Sequence, residues 1–470
     1  MNRDKKLSKP YENTLFIFRR DLRLADNTAL INALDNSNQV LSCFILDPRL
    51  LERANPHQNA IQFMVDTLND LDYQLQQRNG QLLYFVGIPE EILLEILSVH
   101  CIEAVFINRD YSPFSCRRDA RIRNMCNEAK VTFHQFTDSL LNEPEMIRTA
   151  NNEPYQVFTP FFRKASELPI SPPKNNSYKN YVKIRQKQQD YVTRLFKQVK
   201  AHYNESLLVR GSRAAGLDIL SNLQIYKDYE TSRDFPDQHG TTRLSAYIKF
   251  GICSIREVHN AIVTQLGKNH PLIRQLYWRD FYTHIAFHFP HVFKRAFKRR
   301  YDAIQWNYDK TLFELWSQGK TGFPIVDAGI RELNVTGWMH NRVRMIVASF
   351  LAKDLHLDWR WGERYFASKL IDYDPAVNNG NWQWSASTGV DAQPYFRIFN
   401  PWRQQEKYDA NCEYIKQWIP ELSKLEPKII HKWYKPTNWN SGTKYPKPIV
   451  DHKEESQYSK ELFAATFSAK

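Results

Sequence analysis

The six cysteines of this 470-residue chain form no CxxC pair and keep no regular spacing. That excludes a cysteine-built zinc site and a disulfide framework, and it points to a reducing compartment. No apolar run approaches the roughly 18 residues of a membrane-spanning helix. The basic start, Met1 to Lys9, is followed by no plain apolar segment with a small-residue cleavage site, so no secretory signal is read. No GxGxxG follows any candidate strand, and the usual dinucleotide fingerprint is missing. No internal repeat is visible. These absences lead to the expectation of a soluble, cytoplasmic protein without a metal; a monomer is expected as well.

What the chain has in excess is positive charge. With 64 Lys and Arg against 51 Asp and Glu, the formal net charge is +13. Such a balance favours a polyanionic partner, most often nucleic acid. The length implies two or more domains. Short runs rich in β-branched and aromatic residues occur at 15–17, 40–46, 81–86, 104–107 and 131–134, separated by stretches of helical periodicity. The alternation predicts an α/β N-terminal domain with a doubly wound parallel sheet over residues 1–139. A Pro-, Asn- and Lys-rich connection at 140–205 is expected to lie on the surface. An all-helical domain follows at 206–470, its helical periodicity running to about Leu425, with an irregular tail from Pro427 to Pro448.

The densest chemistry lies between Gly337 and Pro401. This stretch holds Trp338, Trp359, Trp361, Trp382 and Trp384, the charged set Arg342, Arg344, Asp372 and Asp374, and an Asn-Asn-Gly run. Composition alone suits an aromatic-rich helical core with solvated charges. A helix from Trp338 to about Lys353, however, would place Trp338, Asn341 and Met345 on one stripe and Val343, Val347, Phe350 and Leu351 on the opposite, core-facing one. Upstream, Thr241, Thr242, Arg243 and Ser245 sit at a predicted helix start, where hydroxyls and free N–H groups can receive a phosphate or simply cap the helix. In RQLYWRDFYTHI, Gln275, Trp278 and Tyr282 share a helical face, which an amphipathic core helix would also produce. Phe293–Arg300 interleaves five cations with two phenylalanines, and Arg19, Arg20 and Arg23 read as surface charge as readily as anything else.

WMHNRVRM followed by RYFASKLIDYDPAVNNGNWQWSASTGVDAQPYFRIFNP resembles the flavin-binding domain of the photolyase/cryptochrome family, most closely its bacterial class I branch that splits cyclobutane pyrimidine dimers. The likeness extends from about Thr14 to the IVDHKE segment. It implies that residues 206–470 form an FAD-binding catalytic domain. It also implies that Tyr229 and the segment Thr241, Thr242, Arg243, Leu244 and Ser245 clasp the FAD diphosphate. Trp338, Arg344, Asp372, Tyr373, Asp374 and Asn378 would surround the isoalloxazine, with Asn378 beside N5. Trp382, Trp359 and Trp306 match the family's electron-hopping chain. Gln275, Trp278, Tyr282, Asn341, Met345 and Trp384 would line the cavity for a flipped-out dimer in damaged DNA, with Arg233, Arg342, Arg397 and Gln404 on phosphates.

Two departures stand out: Gln275 replaces the Glu usual in this branch, and Phe114 and Ser115 replace the Asn-Glu pair of folate-binding relatives. A second, antenna chromophore, methenyltetrahydrofolate or a deazaflavin, therefore stays open. The resemblance implies a light-driven deoxyribodipyrimidine lyase. The alternatives are a blue-light-sensing cryptochrome, a pyrimidine-pyrimidone (6-4) photolyase and, outside the family, a basic helical nucleic-acid-binding protein without cofactor.

Overall fold

The computed structural model describes residues 9–51, 58–184 and 190–468. Five strands, β1 (Tyr11–Phe18), β2 (Ser37–Leu46), β3 (Leu82–Val86), β4 (Ala104–Asn108) and β5 (Thr132–Phe136), form one sheet in the order β3-β2-β1-β4-β5. Every pairing is parallel; Leu15, for example, lies between Leu41 and Val105. The run Leu15-Phe16-Ile17-Phe18 is buried throughout. That is the signature of a central strand covered by helices on both faces, and it explains why the strand reads as continuous hydrophobe instead of alternating.

Sheets of this winding bind ligands where the strand order reverses, beyond the carboxyl ends of the strands. Here that point lies between β1 and β4, and the helical domain docks there. Leu22 N–H donates to Phe250 O (3.0 Å) and Arg23 Nη1 to Gly251 O (3.2 Å). Gly251 has φ +67°, and a Cβ on it would collide with the backbone of Arg20 and Asp21. Only glycine serves at so close an approach with that backbone. Arg19, Arg20 and Arg23 are therefore not plain surface charge. Arg19 pairs with Asp119 (2.5 Å), Arg23 with Asp138 (2.7 Å) and Arg20 with Asp374 of the helical domain (2.5 Å).

The connection is more than a surface tether. Phe158 and Phe161, in the helix Phe158–Ser166, are buried against the long helix Pro271–His288. Leu141 N–H donates to Asp280 Oδ2 of that same helix (2.8 Å). Surface placement therefore fails for this part of the segment, because two phenylalanines have a core to enter.

The helical domain follows local chemistry closely. Helix Pro271–His288 opens with His270 as N-cap and Pro at its first position, and helix Pro375–Ser385 with Asp374 and Pro375 in the same roles. Helix Pro324–Thr336 ends on Gly337 in the left-handed region (φ +68°). That turn corrects one expectation. The next helix begins at Asn341 with His340 as its N-cap, and Trp338 lies ahead of it, not in its first turn. Val343, Val347, Phe350 and Leu351 are fully buried, as the core stripe requires. The tail after Leu425 contains short helical turns at Pro427–His431 and Pro436–Asn440, and a 17-residue helix, His452–Ser468, closes the described chain. The helix of Asn341, helix Trp359–Lys369 and helix Pro375–Ser385 pack together, which brings the residues of the Gly337–Pro401 stretch into one region.

Candidate flavin and DNA site

Two segments remote in sequence meet at Asp372. Ser245 Oγ donates to Asp372 Oδ2 (2.7 Å), and the Arg344 guanidinium faces the same carboxylate (Nη2 to Oδ2 3.1 Å). Arg344 Nε is held by Met339 O (2.7 Å). The half-buried cation is thus held on two sides, by a backbone carbonyl and by a carboxylate that is itself nearly buried. Arg243, with φ +56°, carries its guanidinium 5.5 Å from the centre of the Trp338 ring, and its buried Nε has no partner. An orphaned donor beside Thr241, Thr242 and Ser245 suits an anionic group. Tyr229 is buried nearby in sequence order, with Arg233 over its ring at 5.7 Å.

Asp374 has two tasks. It caps helix Pro375–Ser385 through Ala376 N and Val377 N, and it pairs with Arg20 across the domain boundary. Burial pushes its carboxyl up, but the Arg20 guanidinium outweighs this and holds it below the usual carboxylate range. Tyr373 is half-buried and its phenol is pushed up by burial. Asn378, buried one turn into the helix, donates to Glu363 O (3.0 Å) and faces Glu363 Oε1 (3.4 Å). Burial raises the Glu363 carboxyl.

The face with Gln275 departs from a simple open wall. Trp278 is half-buried, and Phe158 stacks flat on it at 3.6 Å and 6°. Tyr282 lies 5.7 Å from Trp278 and is only 5% exposed. It backs the indole, pressed close to Gly380, where any Cβ would overlap its ring. Gln275 and Trp384 are half-buried. Asn341 Nδ2 approaches Met345 Sδ (3.9 Å), so these two do share a stripe. Arg342 pairs with Asp234 (2.8 Å) and lies over the Tyr408 ring (4.4 Å). Arg397 is exposed, and Gln404 leaves a buried Oε1 without a partner.

The three tryptophans that the resemblance implies as a hopping chain are all buried: Trp382, Trp359 and Trp306. Gly362 permits Trp382 to press against helix Trp359–Lys369, since a Cβ there would overlap the indole. Trp306 lies edge-on to Phe463 of the final helix (6.0 Å).

Two family models match the chain: DNA photolyase over residues 14–176 and the FAD binding domain of DNA photolyase over 272–465. The deoxyribodipyrimidine photo-lyase of Escherichia coli is 38% identical, covering 93% of this chain and 95% of its own. The chain belongs to the DNA photolyase family. Its structure also aligns with that of an archaeal photolyase from Sulfolobus tokodaii containing two FAD molecules (TM-score 0.85, 40% identity, 96% of this chain, 100% of the other). A bacterial class III photolyase from Agrobacterium tumefaciens aligns with TM-score 0.90 at 33% identity, over 99% and 100% of the two chains.

Three residues in contact with these candidate site residues escape sequence reasoning. Phe158, the ring stacked on Trp278, stands in what reads as connection. Arg20, the partner of Asp374, stands in the other domain. Glu363 faces Asn378 from the preceding helix. For Glu363 the sequence holds only a charge beside the quoted RYFASKL motif, and for Arg20 only one of three early arginines that read as surface charge; for Phe158 it holds no signal. No helix among the described residues is long and apolar enough to cross a membrane, and no cluster of His, Cys, Asp and Glu among them could hold a metal.

Proposed function

We propose that this photolyase is a deoxyribodipyrimidine photo-lyase that repairs cyclobutane pyrimidine dimers in DNA under light. The observation that carries the reading is the end-to-end match to relatives of that name, including those from Escherichia coli and Vibrio cholerae. FAD, when bound, reduced and excited, supplies the electron that opens the cyclobutane ring and receives it back.

The protein's own residues then have positioning and electrostatic tasks. Thr241, Thr242, Arg243, Leu244, Ser245 and Tyr229 hold the diphosphate, with the orphaned Arg243 Nε as one donor. The Arg344–Asp372 pair and Trp338, Tyr373 and Asp374 fix the ring system, and Arg344 favours negative charge on it. Asn378 presents its amide at the ring's edge while its Nδ2 is held by Glu363. Gln275, Trp278, Asn341, Met345 and Trp384 receive the flipped dimer, with Tyr282 and Phe158 holding the Trp278 indole in place. Splayed bases stack on such rings, and a damaged pair costs less to extrude. Arg233, Arg342, Arg397 and Gln404 contact phosphates. Trp382, Trp359 and Trp306 carry electrons inward to restore the reduced cofactor. Asn341 and Met345 replace the two histidines of the (6-4) motif, and histidine is the side chain suited to donating a proton near neutral pH. The enzyme acts as a monomer in the cytoplasm, and an antenna chromophore, if held, is a folate or a deazaflavin.

The test is to offer DNA carrying either lesion to the holoenzyme, in light and in darkness. Cyclobutane dimers split only in light and pyrimidine-pyrimidone DNA left unchanged is the expected result. Repair of the second lesion, or none of the first, overturns the reading.

A further inference from the structure

Trp382 has a second aromatic neighbour outside the hopping order. Its ring meets Phe366 at 4.9 Å and Trp316 at 6.3 Å. Trp316 meets Phe313 (5.7 Å, 28°) and Tyr365 (5.4 Å). Phe313 meets Trp361 edge-on at 5.3 Å, and Trp361 meets Tyr308 at 5.8 Å. The series begins at a fully buried indole and ends at a phenol that is 61% exposed. Packing accounts for Trp316. It does not account for Tyr308, which stays on Trp361 although most of its surface faces water.

We propose that Trp316, Trp361 and Tyr308 form a second electron route to Trp382, entering at a solvent-facing tyrosine. The proposal rests on the photolyase reading, because light must first drive one electron from Trp382 to the oxidised flavin. The hole left on Trp382 is filled by an electron from Trp316, that of Trp316 from Trp361, and that of Trp361 from Tyr308. Phe313 fills the gap between the two indoles without being oxidised. Tyr308 releases its phenolic proton to water and becomes a neutral phenoxyl radical. A thiol in solution returns it to the phenol by giving up a hydrogen atom.

The surroundings of the two routes differ in ways that favour this one for positive charge. Trp316 Nε1–H donates to Val347 O (3.3 Å), away from water, so an oxidised Trp316 keeps its proton and the hole stays mobile. On the other route, the Arg360 guanidinium lies 4.9 Å from the Trp359 ring centre, a like charge for any hole there, only partly offset by Asp358 (3.2 Å) and Asp302 (3.4 Å). Trp306, at the end of that route, is buried under Phe463, whereas Tyr308 can pass its proton to solvent at once.

The experiment is flash excitation of the holoenzyme with oxidised FAD, read by transient absorption and freeze-quench EPR of the protein radicals. Wild type, Tyr308→Phe, Trp306→Phe and the double variant Trp306→Phe/Trp361→Phe are compared, each first shown to bind FAD and to match the wild-type circular dichroism. Tyr308 and Trp361 lie at or near the surface, so their replacement leaves the core intact. Trp306→Phe should keep a long-lived protein radical, and adding Trp361→Phe should cut its yield by about tenfold or more. Tyr308→Phe should lose the tyrosyl signal. Loss of every long-lived radical in Trp306→Phe alone, or an unchanged tyrosyl signal in Tyr308→Phe, overturns the second route. Absence of any light-dependent protein radical in wild type would instead overturn the flavin photochemistry on which it rests.

Discussion

Glu332 shows how much single side chains in this domain are governed by burial. Its carboxyl accepts from Tyr414 OH (2.6 Å) and His340 N–H (3.4 Å), yet burial dominates and pushes it up to about 7. A carboxyl raised in the folded state contributes stability that is complete below its unfolded value and is lost as pH rises through the folded one. The window therefore runs from about 4.5, the ordinary value, to about 7. Glu332→Gln cannot ionise, so relative to wild type it should be more stable at pH 8 than at pH 5, by roughly 2 kcal/mol. Urea unfolding of both proteins at the two pH values checks this, and a difference independent of pH would contradict it.

Gln275 poses the complementary question of a missing charge. An amide keeps an acceptor and adds a donor, so it can still bond a carbonyl and an imide N–H of a flipped base. Gln275→Glu should bind damaged DNA at least as tightly as wild type, because a bond to an ionised group contributes roughly 1.5–3 kcal/mol against about 1 for a neutral one. Gln275→Ala should lose affinity and repair yield together, since it leaves a base edge unpaired. Equal binding and yield per absorbed photon for wild type and Gln275→Ala would remove this residue from the lesion site.

Helix Pro375–Ser385 is the element on which the site turns, and glycine contacts govern how it is held. At Gly380 it presses on Tyr282, and its Trp382 presses on Gly362 of the neighbouring helix. Gly380→Ala should cost about 1–3 kcal/mol by overpacking, although alanine is the better helix former. It should also shift Trp278 through Tyr282, so binding to damaged DNA should weaken more than binding to undamaged duplex. Denaturant unfolding and competition binding test both halves; a stabilised variant would show that the approach is looser than described.

The elements themselves were largely legible. All five strands fall where apolar β-branched runs stand; the imprint is most direct in the central strands β1 and β4, whose runs are buried on both faces, and weakest in the edge strand β5, which is only half-buried. The helix expected at Trp338 starts later because Gly337 turns the chain left-handed, a conformation that one glycine letter does not announce. The closing helix His452–Ser468 was missed because it is mostly polar and anchors through few side chains, chiefly Phe463. The Asn341–Met345 stripe was legible from helical spacing alone. The Phe158 stack was not, because its partner Trp278 lies far along the chain and no local pattern encodes the meeting.

At the scale of the whole molecule, the switch point of the sheet is given over to holding the catalytic domain. Arg20 is a residue through which the first domain reaches Asp374 of the candidate flavin site, and the two are too distant in sequence for any local reading to pair them. Arg20→Ala leaves Asp374 buried and uncompensated, and should cost about 1–3 kcal/mol at neutral pH. Arg20 holds the Asp374 carboxyl low, so the pair's contribution is complete above the ordinary carboxylate value and fades as pH falls below it. The gap between wild type and Arg20→Ala should therefore close in acid. A gap that persists where Asp374 is protonated in both proteins would mean that Arg20 acts by packing alone.

If the electron lent to the dimer comes back, light is consumed and reductant is not. The most direct measurement is to reduce the FAD-loaded protein once, remove the reductant, exclude oxygen, and count cyclobutane dimers split per enzyme under continuous blue or near-ultraviolet light. Many dimers per enzyme from that single reduction, and none in darkness, is the expected result. One dimer per enzyme, or splitting that proceeds without light, would contradict it.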